Sequence, residues 1–131
     1  MLLDTSGLFC CHHAPELQHD KAEGFFKNAP FKLTHSYVLA EFLPLCRARG
    51  LDVPKALVFM EDLLDNPLVE VVWVHKELHR SAVAFLRNRE DKSYSLCDAV
   101  SFVLMRAHNI TEALTTDRHF EQEGFTRLLK P

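Results

Sequence analysis

The chain has 131 residues, 47% hydrophobic and 25% charged, with a formal net charge of −3 and a pI near 6.2. That size and balance are expected to give one soluble domain, residues 1–131, with a sizeable core. They exclude a globally basic nucleic-acid binder, so any such partner must be held by a local patch.

No apolar run approaches the ~18 residues of a membrane helix, and no basic segment followed by an apolar stretch opens the chain. The expectation is a cytoplasmic protein without a membrane role. There Cys10, Cys11, Cys46 and Cys97 should remain reduced thiols.

In chain order, MLLD reads as a buried strand that runs straight into Asp4 and then Thr5-Ser6-Gly7. Pro15 to Asn28 reads as a helix, with Pro15 suited to its first turn. FKLTH (31–35) is a short strand. Ser36 to Arg49 follows as a helix closed by Gly50, with Pro44 a kink. Asp52 and Pro54 open a helix to Asp65, stopped by Asn66-Pro67. LVEVVWV (68–74) is rich in β-branched and aromatic residues and reads as a strand with Trp73 in the core. Helices His75 to Glu90 and Ser95 to Asn109 flank the polar Asp91-Lys92-Ser93. TEALTT (111–116) is a strand, RHFEQEG a short helix and FTRLL a last short strand.

Strands alternating with helices predict an α/β sandwich on a mostly parallel sheet. Ligands in such sheets bind beyond the carboxyl ends of the strands, which is where Asp4 and Asp117 fall. Two further acids lie on apolar helix faces. Glu41 shares a face with Val38 and Leu45, and Asp98 with Phe102 and Met105. An ionised carboxylate on such a face is costly unless a cation or donor meets it. Each acid has a structural alternative: Asp98 closes a Ser95-x-x-Asp98 capping box, Asp117 and Asp4 suit N-caps, and Glu41 can pair with Arg47 or Arg80. Caps, however, have no reason to converge on one rim of a sheet. A metal-neutralised cluster does.

The same residues resemble those of the PIN-domain nucleases, and in particular the toxin half of VapBC-type toxin–antitoxin pairs. LLDTSGLF looks like the family's first strand, THSYVLAEFL its second block, SLCDAVSFVLM its third and ALTTDRHF its fourth. The likeness covers the whole chain, in order. It implies a PIN-like three-layer α/β/α sandwich and a metal-dependent endoribonuclease of the toxin type. Asp4, Glu41, Asp98 and Asp117 would be the catalytic and metal-binding acids, holding Mg²⁺ or Mn²⁺, for which hard oxygen ligands suit. Asp4 and Asp98 would be core ligands, Asp117 a direct or water-mediated ligand, and Glu41 a second-site ligand or water-orienting group. Ser6 and Thr115 or Thr116 would bond the carboxylates or the scissile phosphate. The implied partners are an RNA substrate, a small antitoxin protein and a second copy of the chain in a homodimer. One position departs from the pattern: His119 stands where many relatives carry another acid. Asp91 could compensate from its loop.

RNA would need a basic surface. Lys76, Arg80 and Arg87 recur at helical spacing opposite Leu78, Ala82 and Phe85, and Arg89, Lys92 and Arg118 extend that stripe; the alternative is a solvated helix face. The apolar residues of the helix after Asp52 suggest a dimer surface or a groove for an antitoxin helix. Cys10-Cys11-His12-His13 is a poor zinc site, because consecutive residues point in different directions. A catalytically idle RNA-binding or scaffold member of the fold is the main competing function. A phosphatase is disfavoured because Asp4-Thr5-Ser6 lacks the second aspartate of a D-x-D motif.

Overall fold

The computed structural model describes residues 1–131. Five short strands, β1 (Leu2–Leu3), β2 (Lys32–His35), β3 (Val69–Val72), β4 (Glu112–Leu114) and β5 (Thr126–Arg127), form one sheet in the order β3-β2-β1-β4-β5. Every pairing is parallel, with Leu2 opposite Leu33 and Ala113, and Leu3 opposite Leu114. Parallel strands need crossover connections, and helices supply them.

Side chains alternate across the sheet, which sets the two cores. Leu3 and Leu114 point into one core with α1 (Thr5–His12), α2 (His19–Asn28), α3 (Ser36–Ala48) and α4 (Val53–Asp65). Leu2, Leu33 and Ala113 point into the other, with α5 (Lys76–Arg87), α6 (Leu96–Ala107) and Phe120 of α7 (His119–Gln122). The result is the expected α/β/α sandwich.

One helix was not foreseen. Thr5–His12 forms α1 directly after the first strand, and residues Gly7 to Cys11 are all buried. A helix whose middle is buried all round, with polar residues only at its two ends, shows no 3.6-residue alternation to read. Gly7 lets it lie against the sheet, because a Cβ there would come within 1.9 Å of the Leu114 carbonyl oxygen. The second helix starts at His19, later than the expected Pro15. Residues 14–18 instead make turns, closed by Glu16 N–H donating to His13 O and His19 N–H to Glu16 O (both 3.0 Å). Gly50 stops α3 as expected, at φ +70°, a conformation favourable only to glycine.

Trp73 is not in the core. β3 is an edge strand that ends at Val72, and the indole beyond it is 63% exposed. The aromatic residue raised the strand signal without being buried by it. No helix is long and apolar enough to cross a membrane.

Candidate active site

The parallel register brings the C-terminal ends of β1 and β4 side by side, and Asp4 and Asp117 follow those ends. Asp4 is fixed by its backbone N–H, which donates to Leu114 O at 3.2 Å. Its Oδ2 accepts from Thr115 Oγ1 at 2.7 Å and from Ser6 Oγ at 3.4 Å. Thr115 is fully buried, and its Oγ1 also accepts the Asp117 N–H at 2.9 Å. One hydroxyl therefore ties the acid of β1 to the acid after β4. Ser6 Oγ accepts the Thr116 N–H at 3.0 Å, which locks α1 to the same loop.

From the opposite side, α6 presents Asp98. Ser95 and Asp98 form the capping box foreseen in the sequence: the Ser95 N–H donates to Asp98 Oδ2 at 3.1 Å and the Asp98 N–H to Ser95 Oγ at 3.0 Å. His119 Nδ1 also lies 2.8 Å from Asp98 Oδ2. Both bonds fall on Oδ2, so Oδ1 has no protein donor. Asp117 holds the first turn of α7, since its Oδ1 accepts the His119 N–H at 2.9 Å. The Asp98 capping box is thus present in the fold, whereas the N-cap position of α7 falls to Arg118 and Asp117 bonds from just before it; neither arrangement takes these carboxylates away from the cavity. Capping positions them.

Asp4, Glu41, Asp98 and Asp117 all line one open cavity of about 440 Å³, together with Ser6, Thr116 and His119. Glu41 stands on its rim as an exposed residue of α3. Burial raises its pKa, the Asp98 charge adds to that, and a hydrogen bond with Cys97 opposes it. Asp4 is pushed up to about 7, chiefly by burial; the Thr115 hydrogen bond opposes this, while Asp98 and Asp117 raise it further. Burial and like charge both disfavour a carboxylate here.

The contribution of His119 was underestimated from sequence. Its Nδ1 sits 2.8 Å from Asp98 Oδ2 and 3.5 Å from Asp117 Oδ2, and its Nε2 is 3.3 Å from Ser93 Oγ. The ligand atoms of Asp98, Asp117 and His119 all lie within 4.8 Å of one another. The imidazole holds together two acids on different elements. Ser93 and Ser95 reach the cavity from the loop before α6. The clue to Ser95 was the capping box; Ser93 carried no such signal.

The donor set fits a hard divalent cation: the carboxylates of Asp98 and Asp117 and the His119 imidazole converge, and the buried Asp4 lines the same cavity among like charges. Thr5 lines the same cavity, with its hydroxyl buried beside the Cys97 thiol.

The basic stripe lies elsewhere. Arg80, Arg87 and Arg118 are exposed and none lines the cavity. Arg80 is 4.0 Å from Glu77, and Arg89 is occupied by Glu123 through two 3.0 Å bonds while covering the Phe85 ring. Asp91 is exposed, pairs with Lys92 and does not reach the cavity. Cys10, Cys11, Cys46 and Cys97 are buried free thiols.

This fold and acidic cavity define a class, and the sequence agrees. The chain matches the PIN domain family over residues 1–125 and belongs to it. It is similar to the 23S rRNA-specific endonuclease VapC20 of Mycobacterium tuberculosis strains CDC 1551 and H37Rv. In each it is 27% identical over 129 residues, 98% of this chain and 97% of the relative. The crystal structure of Mycobacterium tuberculosis VapC20, described as a sarcin–ricin loop cleaving toxin, superimposes with a TM-score of 0.86. That match is 27% identical and covers 99% of this chain and 98% of that one.

Proposed function

We propose that the protein is a metal-dependent endoribonuclease and the toxin of a toxin–antitoxin pair. The observation that carries this reading is the convergence of Asp4, Glu41, Asp98 and Asp117 on one cavity at the C-terminal rim of a parallel sheet. The likeness along the whole chain to endonucleases supports it. An idle scaffold has no need of a buried, like-charged Asp4 whose charge destabilises the fold without a cation.

Asp4, Asp98 and Asp117 would hold Mg²⁺ or Mn²⁺, with Glu41 and His119 at the edge of the set. Such an ion, when bound, acidifies a water and offsets charge at the phosphorus. The chain's own residues do the rest. Thr115 and Ser6 keep Asp4 in one rotamer, and Ser95 does the same for Asp98. Glu41, exposed and with a raised pKa, stands on the rim where it can orient the attacking water or take its proton. His119 keeps Asp98 and Asp117 together. Thr116 and Ser6 present a backbone N–H and a hydroxyl beside the acids, suited to the scissile phosphate.

In this reading the protein acts in the cytoplasm. A small antitoxin and a second copy of the chain are its protein partners, and exposed Leu57 and Val58 of α4 offer apolar surface for one of them. The test is cleavage of single-stranded RNA by purified protein with Mg²⁺ or Mn²⁺, with and without EDTA. Cleavage should stop in chelator and in Asp4→Asn or Asp98→Asn. Equal cleavage by the double variant in chelator would sink the reading.

A further inference from the structure

The catalytic cavity does not end at its acids. Ser6, Leu45 and Thr116 line it and also line a second concavity of about 380 Å³. That one shares Arg49 with a third, of about 440 Å³, which extends to His13 and Lys55. A row of three adjoining concavities therefore forms a groove from the acids, over the α1–α3 side of the sheet rim, to the end of α3, with Arg49 at the junction of the last two.

Arg49 is the single arginine lining this groove. Its guanidinium lies 4.8 Å over the Phe9 ring, and its Nη2 donates to Glu16 Oε1 at 2.5 Å. Phe9 is buried and cannot move away. The side chain is nonetheless half exposed, and one bond to Glu16 leaves most of the five guanidinium N–H donors free. A planar fork held from behind with its donors outward has already lost the rotamer freedom that binding would otherwise cost.

The acids beside it are engaged: Glu16 holds Arg49, and Asp52 accepts the Lys55 N–H at the start of α4. Arg118, next to Asp117, is exposed but lines none of these concavities, and other arginines of this region are used internally. Arg127 donates to Thr116 O and pairs with Glu121, and Arg89 and Arg106 both pair with Glu123. A polyanion whose scissile phosphate sits among four carboxylates needs a fixed cation close by.

We infer that Arg49 forms a phosphate subsite of this groove, gripping the RNA backbone next to the scissile position, with Leu45 contacting the intervening nucleotide. The inference deepens the ribonuclease reading and rests on it.

The test uses a single-stranded RNA substrate and the full chain. Arg49→Ala should raise KM about tenfold and leave kcat within about twofold, the effect of losing one charge-assisted contact. The slope of log affinity against log salt should flatten by about 0.7, one phosphate contact on a single strand. A neutral methylphosphonate placed at each position in turn should weaken wild-type binding about tenfold at one phosphate and leave Arg49→Ala binding indifferent there. A merely structural arginine would not single out one phosphate. Arg49→Lys keeps a cation over Phe9 but loses the fork, and should fall in between; it carries the test if the alanine variant melts early. Equal methylphosphonate profiles in wild type and a folded variant would overturn the subsite while RNA cleavage stood. Failure of the wild type to bind or cleave RNA would overturn the ribonuclease reading with it.

Discussion

Asp4→Asn isolates the electrostatic strain that burial and like charge place on Asp4. An acid whose folded pKa lies above its unfolded value binds protons more tightly in the native state, so stability falls as pH rises through the interval between them. For Asp4 that interval runs from 3.8 to about 7, which corresponds to a loss of about 4 kcal/mol between roughly pH 4 and pH 7. Asparagine keeps the shape, still accepts from Thr115 and carries no charge. Without metal the variant should match the wild type near pH 4 and be more stable by about 2–4 kcal/mol at pH 8. For a chain of this length that is roughly 10 °C in Tm. Divalent cation should close most of that gap, because the wild type gains about 2.7 kcal/mol at a hundred times Kd while the variant gains far less. The assay is thermal melting of both proteins from pH 4 to 8, in EDTA and across a Mg²⁺ titration. Parallel stability curves with equal Mg²⁺ responses would refute the account of Asp4 as a strained metal ligand.

Removing the Ser95 hydroxyl that caps α6, as in Ser95→Ala, should cost about 1 kcal/mol in chemical denaturation. Mg²⁺ or Mn²⁺ binding in calorimetry should change little, because the Asp98 carboxylate keeps the backbone N–H of residue 95 and His119 as partners; a clear loss of metal affinity would show that the hydroxyl itself positions the carboxylate. Gly7→Ala places a methyl against the Leu114 carbonyl, 1.9 Å away before relaxation, and should cost about 3 kcal/mol or more by denaturant titration. Replacing Arg80 and Arg87 together should flatten the salt dependence of RNA binding by one to two contacts if the α5 stripe meets the backbone; an unchanged slope makes it a solvated helix face.

The alternation of strands and helices was written in the sequence, because hydrophobic periodicity and Gly, Pro and Asn stops act locally. So were the four acids, each conspicuous for standing where a carboxylate is expensive. The capping box at Ser95 and Asp98 was legible for the same reason: both bonds close within three residues.

What depended on distant chain segments was not legible. Helix α1 is polar only at its ends and buried from Gly7 to Cys11, so only its place between the sheet and its neighbouring helices identifies it. Trp73 looked like core because strand propensity does not say whether a strand lies at an edge. The Asp98–His119 contact joins residues 21 apart, and Thr115 reaches Asp4 across 111. Arg49 closes a helix in sequence and becomes a groove residue only when Phe9 and Glu16 fold beneath it. Local spacing named the acids; only the parallel register of β1 and β4 and the packing of α6 against them made the acids neighbours, because the free energy of their meeting exists only in the folded chain.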